Sequence, residues 1–221
     1  MPHKLHTLGF HKVAVVGSAT IRAALNQAKK YKVPIFRDPA TLVKSVSSNE
    51  VNSSRIGKIF NRLLEIPFNK TMGSYHPELP NKPIMVGRKA IKKGTRDTPG
   101  NTLLHELGHA KDDIIDKSDL NIGSSAMGQI KGELTANRNA VSFIKKHEKP
   151  ELLQASLRSY RSEGRKAMNT YRTQAIRTEH RMNKVREKGL IKGLWAARGK
   201  KVPFSDVKTI MRDNPILREK F

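Results

Sequence analysis

The segment His105-Glu106-Leu107-Gly108-His109 constrains this chain more than any other feature. Residues four apart stand one above the other on a helix, so a helix here points both imidazoles the same way and lets them hold one metal ion. Glu106 is rotated to the side, where a carboxylate reaches a water on that metal without ligating the metal itself. Imidazole nitrogens at this spacing point to zinc. The flanking residues suit a helix. Thr98 is placed as N-cap and Pro99 as first helical residue, and Leu103, Leu107, Ala110 and Ile114 recur at helical spacing to supply a buried face. Gly108 weakens a helix by about 1 kcal/mol relative to alanine. A residue without a side chain between two ligands has a compensating use, because it lets other backbone come close.

Two histidines leave a zinc site incomplete, since a catalytic zinc takes three protein ligands and keeps one open position. Downstream, Gly132-Glu133-Leu134-Thr135-Ala136-Asn137 begins another helical pattern. Glu133, Asn137, Ala140 and Ile144 share one stripe, with Ala136, Phe143 and His147 beside it. A carboxylate on a largely apolar stripe is costly to bury unless a cation compensates it. Glu133 is therefore the favoured third ligand. Its alternatives are a surface Glu133–lysine pair and, as rival ligands, Asp112, Asp113 and Asp116 just past the motif.

The run Thr102 to Ala110 (T-L-L-H-E-L-G-H-A), followed by Gly132 to Asn137 (G-E-L-T-A-N) with Glu133 24 residues after His109, resembles the gluzincin branch of the zincin metallopeptidases. Ala136-Asn137, placed just after the third ligand, is similar to the compact gluzincins of bacteria and their mobile elements. Lys111 departs from the extended pattern, which usually has an apolar residue there. The resemblance covers about residues 70–148. It implies zinc held by His105, His109 and Glu133, Glu106 as general base, and hydrolysis of a protein or peptide substrate. In zincins an edge strand precedes the active-site helix and pairs with an extended substrate. Ile84, Met85, Val86 and Gly87 stand where that strand is expected, and a core strand is the alternative reading of the same residues.

Net charge is +24, from 43 Lys and Arg against 19 acidic residues. Such a field attracts polyanions: nucleic acid, an anionic membrane or an acidic protein. The excess is spread along the chain, with 25 basic and 12 acidic residues in 1–150 and 18 and 7 in 151–221. Aromatic residues make up only 5%, which argues against a stacking platform for single strands. Cysteine is absent, so neither disulfides nor thiolate ligands contribute. No signal peptide or bilayer-spanning stretch is visible. The expectation is a cytoplasmic protein without membrane insertion, or a virion-associated one.

Residues 1–11 are polar and include His3, His6 and His11. Val13–Val16 and Val33–Phe36 read as short strands around a helix carrying Ile21, Ala24, Leu25, Ala28 and Tyr31. The Gly17-Ser18 turn is no dinucleotide fingerprint. A helix with Ile56, Ile59, Phe60, Leu63 and Leu64 on one face follows, then a Gly- and Pro-rich stretch over 71–83 and a basic loop from Arg88 to Arg96. Residues 151–188 lack proline and read as one long helix. Its stripe of Met168, Tyr171, Ala175, Thr178, Met182 and Val185 resembles a weak coiled-coil seam. That helix either packs across its own domain or serves as an arm for a partner helix, an oligomer or nucleic acid.

The sequence thus predicts an α+β fold. A zincin-like domain over 1–150, with a small sheet and an active-site helix, precedes a basic helical extension over 151–221. Tyr75, His76, His147, Tyr160 and Tyr171 are candidate donors to the oxyanion that peptide hydrolysis generates. The competing expectation is a structural or nucleic-acid-associated protein, of a phage particle or mobile element, that keeps a zincin fold. The intact Glu106 weighs against it, since a general base adds nothing to folding.

Overall fold

A computed structural model describes residues 17–36, 73–77, 79, 81–86, 99–115, 125–198 and 201–221. Several expectations fall outside these residues: the amino-terminal histidines, the Val13–Val16 strand, the Ile56–Leu64 helix, Gly87, the basic loop over 88–96, the Thr98 cap and Asp116.

The described residues form a largely helical α+β structure. In chain order the elements are α1 (Ser18–Lys30), β1 (Ile35–Phe36), β2 (Gly73–Tyr75), β3 (Ile84–Val86), α2 (Pro99–Ile114), α3 (Ala126–His147), α4 (Pro150–Lys188), α5 (Leu190–Ala197), α6 (Phe204–Asp213) and a closing 3-10 turn (Pro215–Arg218). Among these residues no helix is long and apolar enough to cross a membrane.

The three strands form a mixed sheet in the order β1-β3-β2. β1 runs parallel to β3, with Ile35 opposite Ile84, and β2 runs antiparallel to it, with Ser74 opposite Met85. This corrects the edge-strand role expected for Ile84, Met85 and Val86. β3 is the central strand, buried along its length, and its backbone groups are taken on both sides. Three consecutive apolar residues without alternation suit a strand covered on both faces. Both β3 and β2 pack against the motif helix, and β2, the strand at the edge of this sheet, lies inside the stretch that sequence marked only as rich in glycine and proline.

The main core joins Ala24 and Ala28 of α1, Ile84 and Val86 of β3, Leu103, Leu104, Leu107 and Ala110 of α2, and Ala140, Val141 and Ile144 of α3. The helix bearing Glu133 starts earlier than the apolar pattern suggests, at Ala126, where the Ser125 hydroxyl accepts from the Gly128 amide at 2.9 Å. At its other end the buried Glu148 carboxylate accepts from the Gly17 amide at 2.7 Å, the Ser156 hydroxyl at 2.9 Å and the Lys149 amide at 3.1 Å. One anion thus serves the first turns of two helices, where unpaired amides favour negative charge.

The expected boundary at residue 150 is not a break in packing. Leu157 and Tyr160 of α4 belong to the same core as α2 and α3. Farther along, Met168 and Ala175 pack against Ile130 and Leu134 of α3, Ile210 of α6 and Leu217 of the closing turn. The first part of the coiled-coil-like stripe is therefore covered by its own chain, while Thr178 and Met182 are exposed. Phe221 bridges the two clusters, its ring lying over Gly164, where a Cβ would come within 2.6 Å of it.

Two stability predictions follow from this packing. A Cβ on Gly108 would lie 2.3 Å from the Ala136 carbonyl oxygen, a backbone atom that cannot swing aside. On an isolated helix Gly108→Ala would stabilise, whereas here we expect a loss of about 1–3 kcal/mol through overpacking. A urea midpoint equal to or above wild type would show that the crossing is looser than described. Second, a chain ending at residue 150 should lose its cooperative thermal transition, because the Tyr160 and Leu157 contributions to the core go with it. Retention of a sharp melt would restore the view of 151–221 as a separable extension.

Candidate metal centre

The crossing of α2 and α3 builds the site. At Gly108 the two helices meet backbone to backbone, Gly108 against Ala136. Asn139 fastens the contact by donating to the Gly108 carbonyl at 3.1 Å, and its own side-chain oxygen accepts from Lys111 at 2.9 Å. Lys111, the departure from the extended pattern, thus has a local structural task. The close approach carries Glu133, nearly one turn before Ala136, to the histidines.

His105 Nε2 lies 3.2 Å from His109 Nε2 and 3.0 Å from Glu133 Oε2, and His109 Nε2 lies 3.7 Å from Glu133 Oε1. A tetrahedral zinc with bonds of about 2.1 Å separates its ligands by about 3.4 Å. The three side chains therefore bring donor atoms close enough together to hold a metal ion. Among the described residues this trio is the group of His, Asp and Glu side chains able to hold a metal. Two imidazole nitrogens and a carboxylate converging in this way need a cation or a shared proton between them.

Of the rival carboxylates, Asp112 and Asp113 lie outside the trio. Asp113 accepts from the Tyr75 hydroxyl at 2.5 Å and pairs with Lys82 at 2.8 Å. Asp112 is buried and outside the trio.

Groups behind the ligands hold them in place. The buried Tyr160 hydroxyl donates to Asn137 Oδ1 at 2.9 Å and sits 3.5 Å from His105 Nδ1. Asn137 in turn donates to the Glu133 carbonyl at 2.7 Å. With Nδ1 turned to this network, His105 keeps Nε2 for the centre, the usual way a supporting bond selects which imidazole nitrogen ligates. Tyr171 hydrogen-bonds the Glu133 carboxylate. Two of the five candidate oxyanion donors, Tyr160 and Tyr171, thus support ligands. Tyr75 is committed to Asp113. His147 stacks on Phe143 with ring centroids 4.3 Å apart, and is not in the trio. His76, 2.8 Å from the Ser74 hydroxyl, acts on the charge of Glu106.

Glu106 is buried and turned toward β2, where the Tyr75 amide donates to it. A Cβ on Gly73 would come within 3.1 Å of its carboxylate. Nothing in the sequence marked Gly73 or the Tyr75 amide as neighbours of the motif, because strand order is set by distant pairing.

The electrostatics separate these groups. Burial pushes the Glu106 carboxyl up to about 7, with Glu133 adding to the rise and His105, His76 and the Tyr75 amide opposing it. Burial disfavours charge on His105 too, but the Glu133 hydrogen bond and the charges of Glu106 and Glu133 outweigh it and raise His105 to about 9. Burial and the charge on His105 lower His109 to about 4. Glu133, although its burial acts the other way, is held below its ordinary value by the two histidines and Tyr171.

No protein-family model matches the chain, and neither a curated protein nor a solved structure matches it.

We expect the protein to bind one zinc per chain at this centre. Because the ion displaces the proton on His105, affinity should strengthen by up to roughly tenfold per pH unit as pH rises toward 9. Tyr160→Phe removes the donor to Asn137 and should weaken zinc by roughly 10- to 100-fold. Competition against a chromophoric chelator at several pH values measures both effects. An unchanged affinity in Tyr160→Phe would remove this network from ligand positioning.

Proposed function

We propose that this chain is a zinc-dependent peptide hydrolase of zincin type. The observation that carries the reading is the trio His105, His109 and Glu133, close enough together to hold a metal ion, with a buried carboxylate, Glu106, beside it and outside it. A purely structural metal site is closed by four protein ligands, whereas three ligands leave a position for chemistry.

His105, His109 and Glu133 would hold the ion. The chemistry a bound zinc supplies is Lewis-acid polarisation of the scissile carbonyl and a nucleophilic water near neutral pH. The chain's own residues then handle protons and position. Glu106 Oε accepts a proton from the attacking water and delivers it to the departing amide nitrogen. The Tyr75 amide and the close approach of Gly73 restrict the carboxylate to one orientation. His76, held by Ser74, is the remaining candidate donor to the developing oxyanion. β2, an edge of the three-stranded sheet among the described residues, is the strand we assign the substrate-pairing role expected of β3, since an extended peptide adds to a sheet edge through backbone hydrogen bonds.

The test is Glu106→Gln. Zinc content and melting temperature should match wild type, while cleavage of a peptide library falls by about 100- to 10,000-fold. Equal cleavage by the variant would exclude Glu106 as the base. A zinc-loaded wild type that cleaves nothing across the library would favour the structural reading.

A further inference from the structure

Helix α5 is packed with its small residues inward and its large apolar residues outward. Gly193 and Ala197 are its buried positions, and a Cβ on Gly193 would lie 2.5 Å from the Val185 Cα. The helix thus lies tightly against the end of α4. The opposite face carries Leu190, Ile191, Leu194 and Trp195, which are 66%, 71%, 48% and 67% exposed, and Phe204 nearby in sequence is 72% exposed. The hydrophobic effect favours the reverse orientation. A cluster of bulky apolar side chains held outward is the usual mark of a surface that meets another apolar phase.

The charges around this face indicate which phase. From Lys188 to Lys201 the chain has five basic residues and no acidic one. The Arg198 guanidinium sits 5.3 Å from the Trp195 ring centroid and the Lys208 ammonium 4.7 Å from that of Phe204. Lys188 and Lys192 are exposed on the same short helix and its approach. Apolar and aromatic side chains flanked by cations suit the boundary of an anionic bilayer, where rings and aliphatic groups enter the acyl region and cations stay with headgroup phosphates.

We propose that the exposed face of α5 binds the surface of an anionic lipid bilayer. The contact is peripheral, since no described helix can span a membrane. Nucleic acid would use the cations but leave Leu190, Ile191 and Leu194 in water. A second copy of the same face would oppose like charges. Protein interfaces are generally depleted in lysine, while this rim is rich in it.

Trp195 is the only tryptophan in the chain, so its fluorescence reads this face directly. The full chain is titrated with vesicles of phosphatidylcholine mixed with phosphatidylglycerol, with vesicles of phosphatidylcholine alone, and with duplex DNA. The expected result is a blue shift and protection from acrylamide quenching with the anionic vesicles only. The double variant Ile191→Asp with Leu194→Asp, at positions exposed in the fold, should keep the wild-type melt and weaken vesicle partitioning by at least about tenfold. A face that stays in water with anionic vesicles would overturn the proposal. So would an equal response to neutral vesicles or to DNA, or a blue emission in vesicle-free protein that rises with protein concentration, which would assign the face to a second copy.

Discussion

The contact of Gly108 with the Ala136 carbonyl is the constraint on which the centre depends. Helices in proteins commonly pack with axes 8–10 Å apart and side chains between them. Here the missing side chain lets backbone meet backbone, and the positions that follow on each helix are no longer adjustable by rotamer changes. His105 and His109 flank the contact on one helix, and Glu133 approaches it from the other. A side chain at the crossing would push Glu133 outward, and the 3.0 Å approach to His105 would open. The helix weakness that glycine introduces is local, whereas the placement it allows joins two elements distant in sequence.

A second layer extends the dependence to α4. Tyr160 reaches both Asn137 and His105, and Tyr171 reaches Glu133. The long helix therefore supports ligands as well as covering core, and its first half cannot be counted as an appendage. Its carboxy-terminal half is a different environment. Beyond Ala175, burial is intermittent along α4, and α5 packs on its end through small residues. One continuous helix thus joins the region around the His105, His109 and Glu133 cluster to one whose apolar surface faces outward.

What was legible in the sequence follows the range of the interaction concerned. The histidine pair and Glu106 could be read because helical spacing is a local property. Glu133 could be read because a carboxylate on an apolar stripe demands a compensating partner. The core role of Tyr160 could not, since charged positions dominate α4 and its few buried residues, Leu157 and Tyr160 among them, do not make a continuous stripe. Strand order was equally out of reach. Ile84, Met85 and Val86 announce a buried strand by their composition, but whether it is central depends on Ile35 and Ser74, which lie far away in the chain. Which of the donors named by residue type lies where was also out of reach, because a tyrosine's task depends on where its hydroxyl ends up.

The centre resolves a conflict between burial and charge. The protein is strongly basic, yet the α2–α3 crossing collects two carboxylates in one half-buried space. Glu133 keeps its charge because two imidazoles face it; for Glu106, burial outweighs His105, His76 and the Tyr75 amide and pushes it toward neutrality. Two carboxyl groups separated in this way suit different tasks, one to hold a cation and the other to exchange a proton. The separation follows from geometry alone. Glu133 arrives on a second helix and meets the imidazoles head-on, while Glu106 shares a helix with them and is turned by its phase toward the sheet. The same spacing that aligns the histidines therefore excludes the neighbouring glutamate from their site and leaves it free to act on a proton.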